Sequence, residues 1–599
     1  VKLRRSSGNR QPTLPGVFTP ARSRRLTTPH EQALLVAQAR SVTAVILFSL
    51  AFVVIAGRLT FLTLLSEPPD TPNSRAEAGE SVSQRSDITD RNGSLLATSL
   101  PTVSLCADAK KILDADVAAK QLLATLPDLD VAKLNEDLHG SKHCAMIKRH
   151  LTPKQYYEVN KLGIAGLEFH PDERRIYPAG NTTAHVIGYT DIDDNGLAGM
   201  EKQFDARLEE QEEPLAISLD LRVQSILHSE LASAVNNFHA IGGAGLVMDI
   251  ATGEILALVS LPDFDPQRPG TASDEAKFNR DTLGVYEMGS TFKIFNTAMA
   301  LDSGIIHVGD SFDTMHPVEI GHQLIRDFHN EGRWLNVAEI FTHSSNIGSA
   351  RMVEKLGGTR QRAFFSRLGL TEKMKLELPE VGAPLIPSAK DWNQSTTLTA
   401  SFGHGIAVNA VQLAGAVATI INDGKTVKPT LLKVTGPAAS RDDRIIAPKT
   451  SAQIRALMRL VVTRGTAKAA NVEGYIVGGK TGTSDKIGAN HKYVSNARLS
   501  SFIGAFPMNA PRYLVFAMLD DPKGTTKSFG NATGGWTAAP VVNHVVAQIG
   551  PLLDVPPLAD EMEEAAEQRL LKPLGSQIVD GLPVEEGSNY AAVESNSVE

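Results

Sequence analysis

The segment Tyr286-Glu287-Met288-Gly289-Ser290-Thr291-Phe292-Lys293 sets a serine three positions ahead of a lysine, and the apolar run Ile294-Phe295-Asn296-Thr297-Ala298-Met299-Ala300 behind it predicts a helix. Residues three apart on a helix share a face, so the hydroxyl and the amine would stand side by side. A serine hydroxyl is a weak nucleophile until a base removes its proton, and a neutral amine close by can do that. Gly289 allows the sharp turn into such a helix, whose N-terminal N–H groups favour a developing negative charge. Alone the pattern says little. Ser and Lys are common, and about two such pairs arise by chance in a chain this long, mostly on solvated helix surface.

Two further stretches change its weight. Thr342-His343-Ser344-Ser345-Asn346-Ile347-Gly348 follows, with Ser344 lying 54 positions beyond Ser290, and Lys480-Thr481-Gly482-Thr483 comes after the strand-like Tyr475-Ile476-Val477. Each is unremarkable by itself: Ser-Ser-Asn is more often a cap or turn, and Lys-Thr-Gly often a strand end. Their order and separation carry the signal.

Together the three resemble the S-x-x-K, S-x-N and K-T-G signature of penicillin-binding proteins and serine β-lactamases. The resemblance extends through most of the chain. Residues 85–93, Arg-Ser-Asp-Ile-Thr-Asp-Arg-Asn-Gly, look like the start of the non-catalytic module of class B penicillin-binding proteins. Arg175-Ile176-Tyr177-Pro178-Ala179-Gly180, His185, Gly188 and residues 196–201 look like its later motifs. Met288 stands where the family usually has Pro, which alters loop stiffness more than chemistry. The middle motif ends in Asn346 and is more similar to the cell-division transpeptidases than to elongation-type relatives, which often end it in Asp.

The resemblance implies roles. Ser290 would be the acylated nucleophile, Lys293 its base, and Ser344 a proton relay to the leaving amine. Asn346 would orient Lys293 and the peptide amide. Lys480 would depress the Lys293 amine pKa by like-charge repulsion and attract the substrate carboxylate, which Thr481 and Thr483, flanking Gly482, would hold. The backbone N–H groups of Ser290 and Thr483 would form an oxyanion hole. His343 beside Ser344 is read as a packing or hydrogen-bonding residue, because lysines already fill the base role. No metal-ligand cluster or phosphate loop stands out, and this chemistry requires no metal or cofactor.

The remaining sequence sets the address. A net charge of −8 gives no reason to expect nucleic-acid binding. Charge location says more: residues 1–40 carry eight Lys or Arg against Glu31 alone, and residues 41–57 are uncharged and apolar, with the run resuming beyond Arg58 to Leu65. Residues 41–65 are long enough for the hydrocarbon core, and Arg58 can extend its guanidinium into the headgroups. The run is longer than a signal h-region and lacks a small-x-small cleavage site, so an uncleaved anchor is expected. A buried core helix and a cleaved signal peptide are the alternatives. By the positive-inside rule the first forty residues stay cytoplasmic and the bulk crosses the inner membrane into the periplasm.

Beyond the anchor, residues 66–84 read as a polar linker, and the mixed α+β stretch to 214 as a non-catalytic pedestal or dimerisation module. Residues 215–550 form the catalytic domain. There Val223, Ile226, Leu227 and Leu231 follow Asp220 at helical spacing, residues 245–250 and 254–259 suggest a hairpin, and residues 475–483, 501–506 and 513–519 read as strands. An antiparallel sheet flanked by helices is the expected α+β fold. Residues 551–599, with eleven acids against Arg569 and Lys572, read as a disordered acidic tail. Cys106 and Cys144 could bridge in an oxidising compartment, although two separate buried thiols are the favoured reading.

The expected activity is peptidoglycan D,D-transpeptidation at the septum: Ser290 forms an ester with a D-Ala-D-Ala stem peptide, D-Ala leaves, and an amine of a neighbouring strand resolves the ester. β-Lactams would be covalent inhibitors. A membrane glycan polymerase and other division proteins are the implied partners, since residues 66–214 are short for an added polymerase. The alternatives are an elongation-type transpeptidase, a D-Ala-D-Ala carboxypeptidase or β-lactamase, in which water resolves the ester, and a sensing or scaffold protein on the same domain.

Overall fold

The computed structural model describes residues 40, 42–43, 45–57, 85–210, 213–321, 323–436, 443–487 and 493–581. It divides into two units, residues 1–82 and 83–599. In the first, residues 45–57 are helical with exposed apolar side chains such as Phe48 and Phe52. Among the described residues no helix is long and apolar enough to cross a membrane. The expected anchor continues through residues 58–65, which, like the basic segment 1–39 and the linker 66–84, lie outside the described residues.

The second unit opens with a small sheet built on the long strand Leu95–Ala107. Leu167–Ile176 and Ala145–Leu151 pair with it antiparallel, as does Ile88–Thr89, which in turn pairs parallel with Leu215–Ala216. Leu215–Ala216 thus completes the pedestal sheet. The helices Ala115–Thr125, Val131–His139 and Pro153–Lys161 start at side-chain caps supplied by Asp114, Asp130 and Thr152. They close a small core of Leu105, Leu122, Leu134, Leu138, Leu151 and Val159.

Cys106 and Cys144 form a disulfide, which corrects the reading of two separate thiols. Cys106 is buried at the strand end, whereas Cys144 is exposed just before the Ala145–Leu151 strand that pairs with it. Sequence spacing carries no trace of that pairing.

The pedestal motifs meet in one ion-pair cluster. Arg85 Nε and Arg175 Nε donate to the two oxygens of the fully buried Glu201, at 2.8 and 2.7 Å. Arg175 also donates to the carbonyls of Arg85 and Ser86, and Arg85 reaches Asp205 at 2.9 Å. One buried carboxylate therefore ties the segment entering the module to its later strand.

The catalytic domain centres on a five-stranded antiparallel sheet in the order Gly478–Ile487, Tyr493–Phe506, Tyr513–Asp520, Gly242–Asp249, Ile255–Leu261. The alternation expected of one-sided strands is absent from Tyr513–Asp520 and Ile255–Leu261, where every residue is buried, so the sheet is covered on both faces. Leu221–Asn237, capped by Asp220, packs with Ala538–Leu552 over the sheet. The helices Lys293–Asp302, Ala410–Ile421 and Pro448–Thr463 form a second packed group. The Lys480-Thr481-Gly482-Thr483 run lies inside its strand, not at the end of one; Tyr475 precedes it in a bridge to Val472.

The acidic tail is also corrected. Residues 551–581 fold onto the domain as helices Asp560–Leu571 and Ser576–Gly581, joined by a 3₁₀ turn, with Leu570 and Leu574 in the main core. Glu563 and Glu567, each partly exposed, pair with the buried Arg459. Residues 582–599 lie outside the described residues.

Candidate active site

Gly289 has φ +54°, and a Cβ there would lie 2.7 Å from Thr483 O, so glycine is needed both for the turn and for the approach of the edge strand. Residues Gly289–Phe292 form one 3₁₀ turn, and Lys293 opens the helix Lys293–Asp302. In a 3₁₀ turn residues i and i+3 eclipse, which stacks Lys293 over Ser290. Their Nζ and Oγ are 3.0 Å apart. Thr291 Oγ1 closes the turn on Met288 O at 2.9 Å, and Phe292, Phe295 and Phe365 anchor it by edge-to-face packing. Met288, in the place of the family's usual Pro, is buried beneath this loop.

The second motif joins two helices. Val337–Thr342 starts at a capping box between Asn336 and Glu339, and Ser345 caps Asn346–Glu354 by accepting from Gly348 N–H. Between them Ser344 takes a left-handed conformation, φ +61°. A non-glycine residue is held there only by its surroundings, and here Lys293 Nζ donates to its carbonyl. The same Nζ lies 3.0 Å from Ser344 Oγ and 2.8 Å from Asn346 Oδ1.

The third motif arrives on the edge strand. Lys480 Nζ lies 3.0 Å from Ser344 Oγ, opposite Lys293. Thr481 Oγ1 meets Thr466 Oγ1 at 2.8 Å, and Gly534 N–H donates to Thr483 Oγ1 at 3.3 Å. A Cβ on Gly482 would lie 2.7 Å from Met288 O, so only glycine lets the strand rest on the nucleophile loop. The eight residues singled out in the sequence therefore lie in one cluster.

Both amines are fully buried while Ser290 and Ser344 keep partial exposure. Burial disfavours an ammonium ion and pushes Lys480 down to about 7. Burial also drives Lys293 well below the ordinary lysine range, the nearby charge of Lys480 lowers it further, and Asp327 opposes both. Repulsion from Lys480 alone, the cause expected from sequence, is the smaller part.

Asp327 is the residue that sequence reasoning missed. Its carboxylate accepts from Ser345 Oγ at 2.7 Å and from the backbone N–H groups of Asn346 and Ile347 at 2.5 and 2.9 Å. Asn346 Nδ2 donates to Arg326 O at 3.1 Å. Asp327 thus sets the first turn of the helix that presents Asn346, but it sits far back in sequence with no local pattern to mark it. Glu287 braces the nucleophile loop, accepting Gly405 N–H on Oε1 and the Ser484 hydroxyl on its carbonyl. His343 faces Glu331 at 3.8 Å. Among the described residues the one cluster with metal-ligand spacing is Cys106, Cys144 and His170, and its two sulfurs are already joined to each other.

Residues 243–547 match the family described as penicillin binding protein transpeptidase domain, and residues 80–214 the penicillin-binding protein dimerisation domain. The chain is 39% identical over 499 residues to the probable peptidoglycan D,D-transpeptidase FtsI of Caulobacter vibrioides, covering 80% of this chain and 84% of that one. It is 28% identical to the peptidoglycan D,D-transpeptidase FtsI of Escherichia coli K12, over 86% of this chain and 91% of that one. In fold it resembles penicillin binding protein 3 of Mycobacterium tuberculosis complexed with aztreonam, at TM-score 0.63 and 23% identity, covering 80% of this chain and 97% of that one. The chain belongs to the penicillin-binding proteins that carry a transpeptidase domain.

Proposed function

We propose that the protein is a peptidoglycan D,D-transpeptidase of the division septum, acting through a Ser290 acyl-enzyme. The observation that carries the reading is the contact of Lys293 Nζ with Ser290 Oγ, Ser344 and Asn346 at once. A neutral amine has two hydrogens and one lone pair. Donation to Asn346 Oδ1 and Ser344 O leaves the lone pair for the Ser290 hydroxyl proton. Ser290 Oγ then attacks the carbonyl between the two D-alanines, with the N–H groups of Ser290 and Thr483 receiving the oxyanion.

Collapse of that adduct breaks the C–N bond, and Ser344 relays the proton from Lys293 to the departing D-Ala amine. The ester on Ser290 is resolved by an amine of a neighbouring stem peptide, which loses its proton along the same route. Lys480, Thr481 and Thr483, with Gly482 allowing close approach, hold the terminal carboxylate of the donor. β-Lactams acylate the same serine.

Septal work needs the catalytic domain outside the cytoplasm. Residues 41–65 serve as the single inner-membrane anchor, residues 1–40 stay in the cytoplasm, and residues 66–214 raise residues 215–550 into the periplasm. The charge pattern and the Cys106–Cys144 bridge support that address. Glycan strands then come from a separate membrane polymerase, with other division proteins as partners. The full chain in detergent, given a donor thioester and D-amino-acid acceptors, is expected to form the aminolysis product; product formed only with water would favour a carboxypeptidase.

A further inference from the structure

The transpeptidase match ends at residue 547, yet residues 548–581 keep folding onto the domain. The helix Pro448–Thr463 touches both halves of the site, packing on the Lys293–Asp302 helix and on the Gly478–Ile487 strand. Toward its C-terminal end the buried Arg459 donates through Nη1 to Val477 O and Asn471 Oδ1, both at 2.9 Å, and through Nη2 to Glu567 Oε2 at 2.7 Å. Glu563 Oε1 stands 3.7 Å from the same nitrogen, and its Oε2 accepts Gly474 N–H at 3.0 Å. Leu558 N–H donates to Gly474 O at 2.8 Å. Val477 is the last residue before the strand that carries Lys480. Farther along the same connection, Arg464 donates to Val579 O, and Thr466 holds Thr481.

We infer that the C-terminal helix Asp560–Leu571 is a positioning element of the active site: Glu567, with Glu563, acts through Arg459 and Val477 to fix the strand bearing Lys480 and Thr481. The inference rests on the reading of those two residues as the carboxylate side of the site. A guanidinium buried in this way keeps its place only while a counter-charge faces it, and these two glutamates supply that charge. Without them Arg459 is drawn toward water and releases Val477 O. A shift of about 1 Å in a substrate-holding group can cost up to about a hundredfold in rate.

The test uses the full chain in detergent and a chromogenic penicillin, with stopped-flow data separating the binding constant from the first-order acylation constant. The pair Glu563→Gln and Glu567→Gln is expected to weaken binding and slow acylation together, by about tenfold overall. Glu567→Asp is expected to restore most of the loss, and Glu561→Gln, on the exposed side of the same helix, to change neither constant. A double variant that melts earlier but binds and acylates as wild type overturns the inference. Should that variant not fold, Glu567→Gln alone, which retains Glu563, is judged by the same two constants. Wild-type protein that takes no label overturns the functional reading, and this inference with it.

Discussion

Lys293 and Lys480 meet on a single hydroxyl, each Nζ lying 3.0 Å from Ser344 Oγ. Two ammonium ions on one small acceptor in a buried pocket would repel strongly. The arrangement is stable with at least one amine neutral, and Lys293, lowered by burial and by the charge of Lys480, supplies it. The site keeps one charge for a carboxylate and one lone pair for a proton.

That division predicts a pH dependence. Acylation should rise with pH as Lys293 loses its proton. Binding of carboxylate-bearing substrates should weaken above about pH 7 as Lys480 loses its charge. Lys480→Met is expected to abolish the second dependence and to move the first to higher pH, because the charge that helps lower Lys293 is gone, read from acylation and binding constants between pH 5 and 10.

The same shift is a stability statement. The folded-state pKa of Lys480 lies below its ordinary value of 10.5, so between about 7 and 10.5 the unfolded chain binds more protons and stability rises with pH. From pH 7 to 9.5 the wild type should gain on the order of 3 kcal/mol relative to Lys480→Met. Denaturant titrations of both proteins at the two pH values check this.

Asp327 should matter through the residues it holds. Asp327→Asn removes the charged acceptor of Ser345 and of two backbone N–H groups, a loss on the order of 1–3 kcal/mol. It also removes the charge that raises the Lys293 pKa. The acid limb of the acylation profile is therefore expected to move to lower pH even as the maximum rate falls. A variant that is merely unstable would leave the limb where it is.

In the pedestal, Glu201→Gln leaves Arg85 and Arg175 without their shared counter-charge. Breaking a buried pair from one side typically costs about 3–5 kcal/mol. Thermal unfolding should show the loss, and penicillin labelling below the new transition should persist, because Ser290, Lys293 and Lys480 lie in the other domain.

The sequence made the site legible where chemistry is local. Ser290 and Lys293 are one turn apart, so spacing alone predicts their contact. Ser344 and Lys480 became legible only through a pattern seen in other proteins, since nothing in either tripeptide marks its destination. Asp327 stayed hidden because its partners lie in a later helix. The tail was misread for a related reason: its acids look solvated until Arg459 and Gly474 N–H, distant in sequence, appear beside Glu563 and Glu567. The disulfide depended on a strand register that bare spacing does not contain.

The central claim is that Lys293 activates Ser290. Mass spectrometry of the full chain after brief exposure to penicillin, followed by trypsin digestion, tests it most directly. The account predicts one adduct, on the peptide spanning residues 281–293 and located at Ser290, absent from Ser290→Ala and formed far more slowly in Lys293→Ala. An adduct on another residue, or labelling that persists in folded Ser290→Ala, would contradict it.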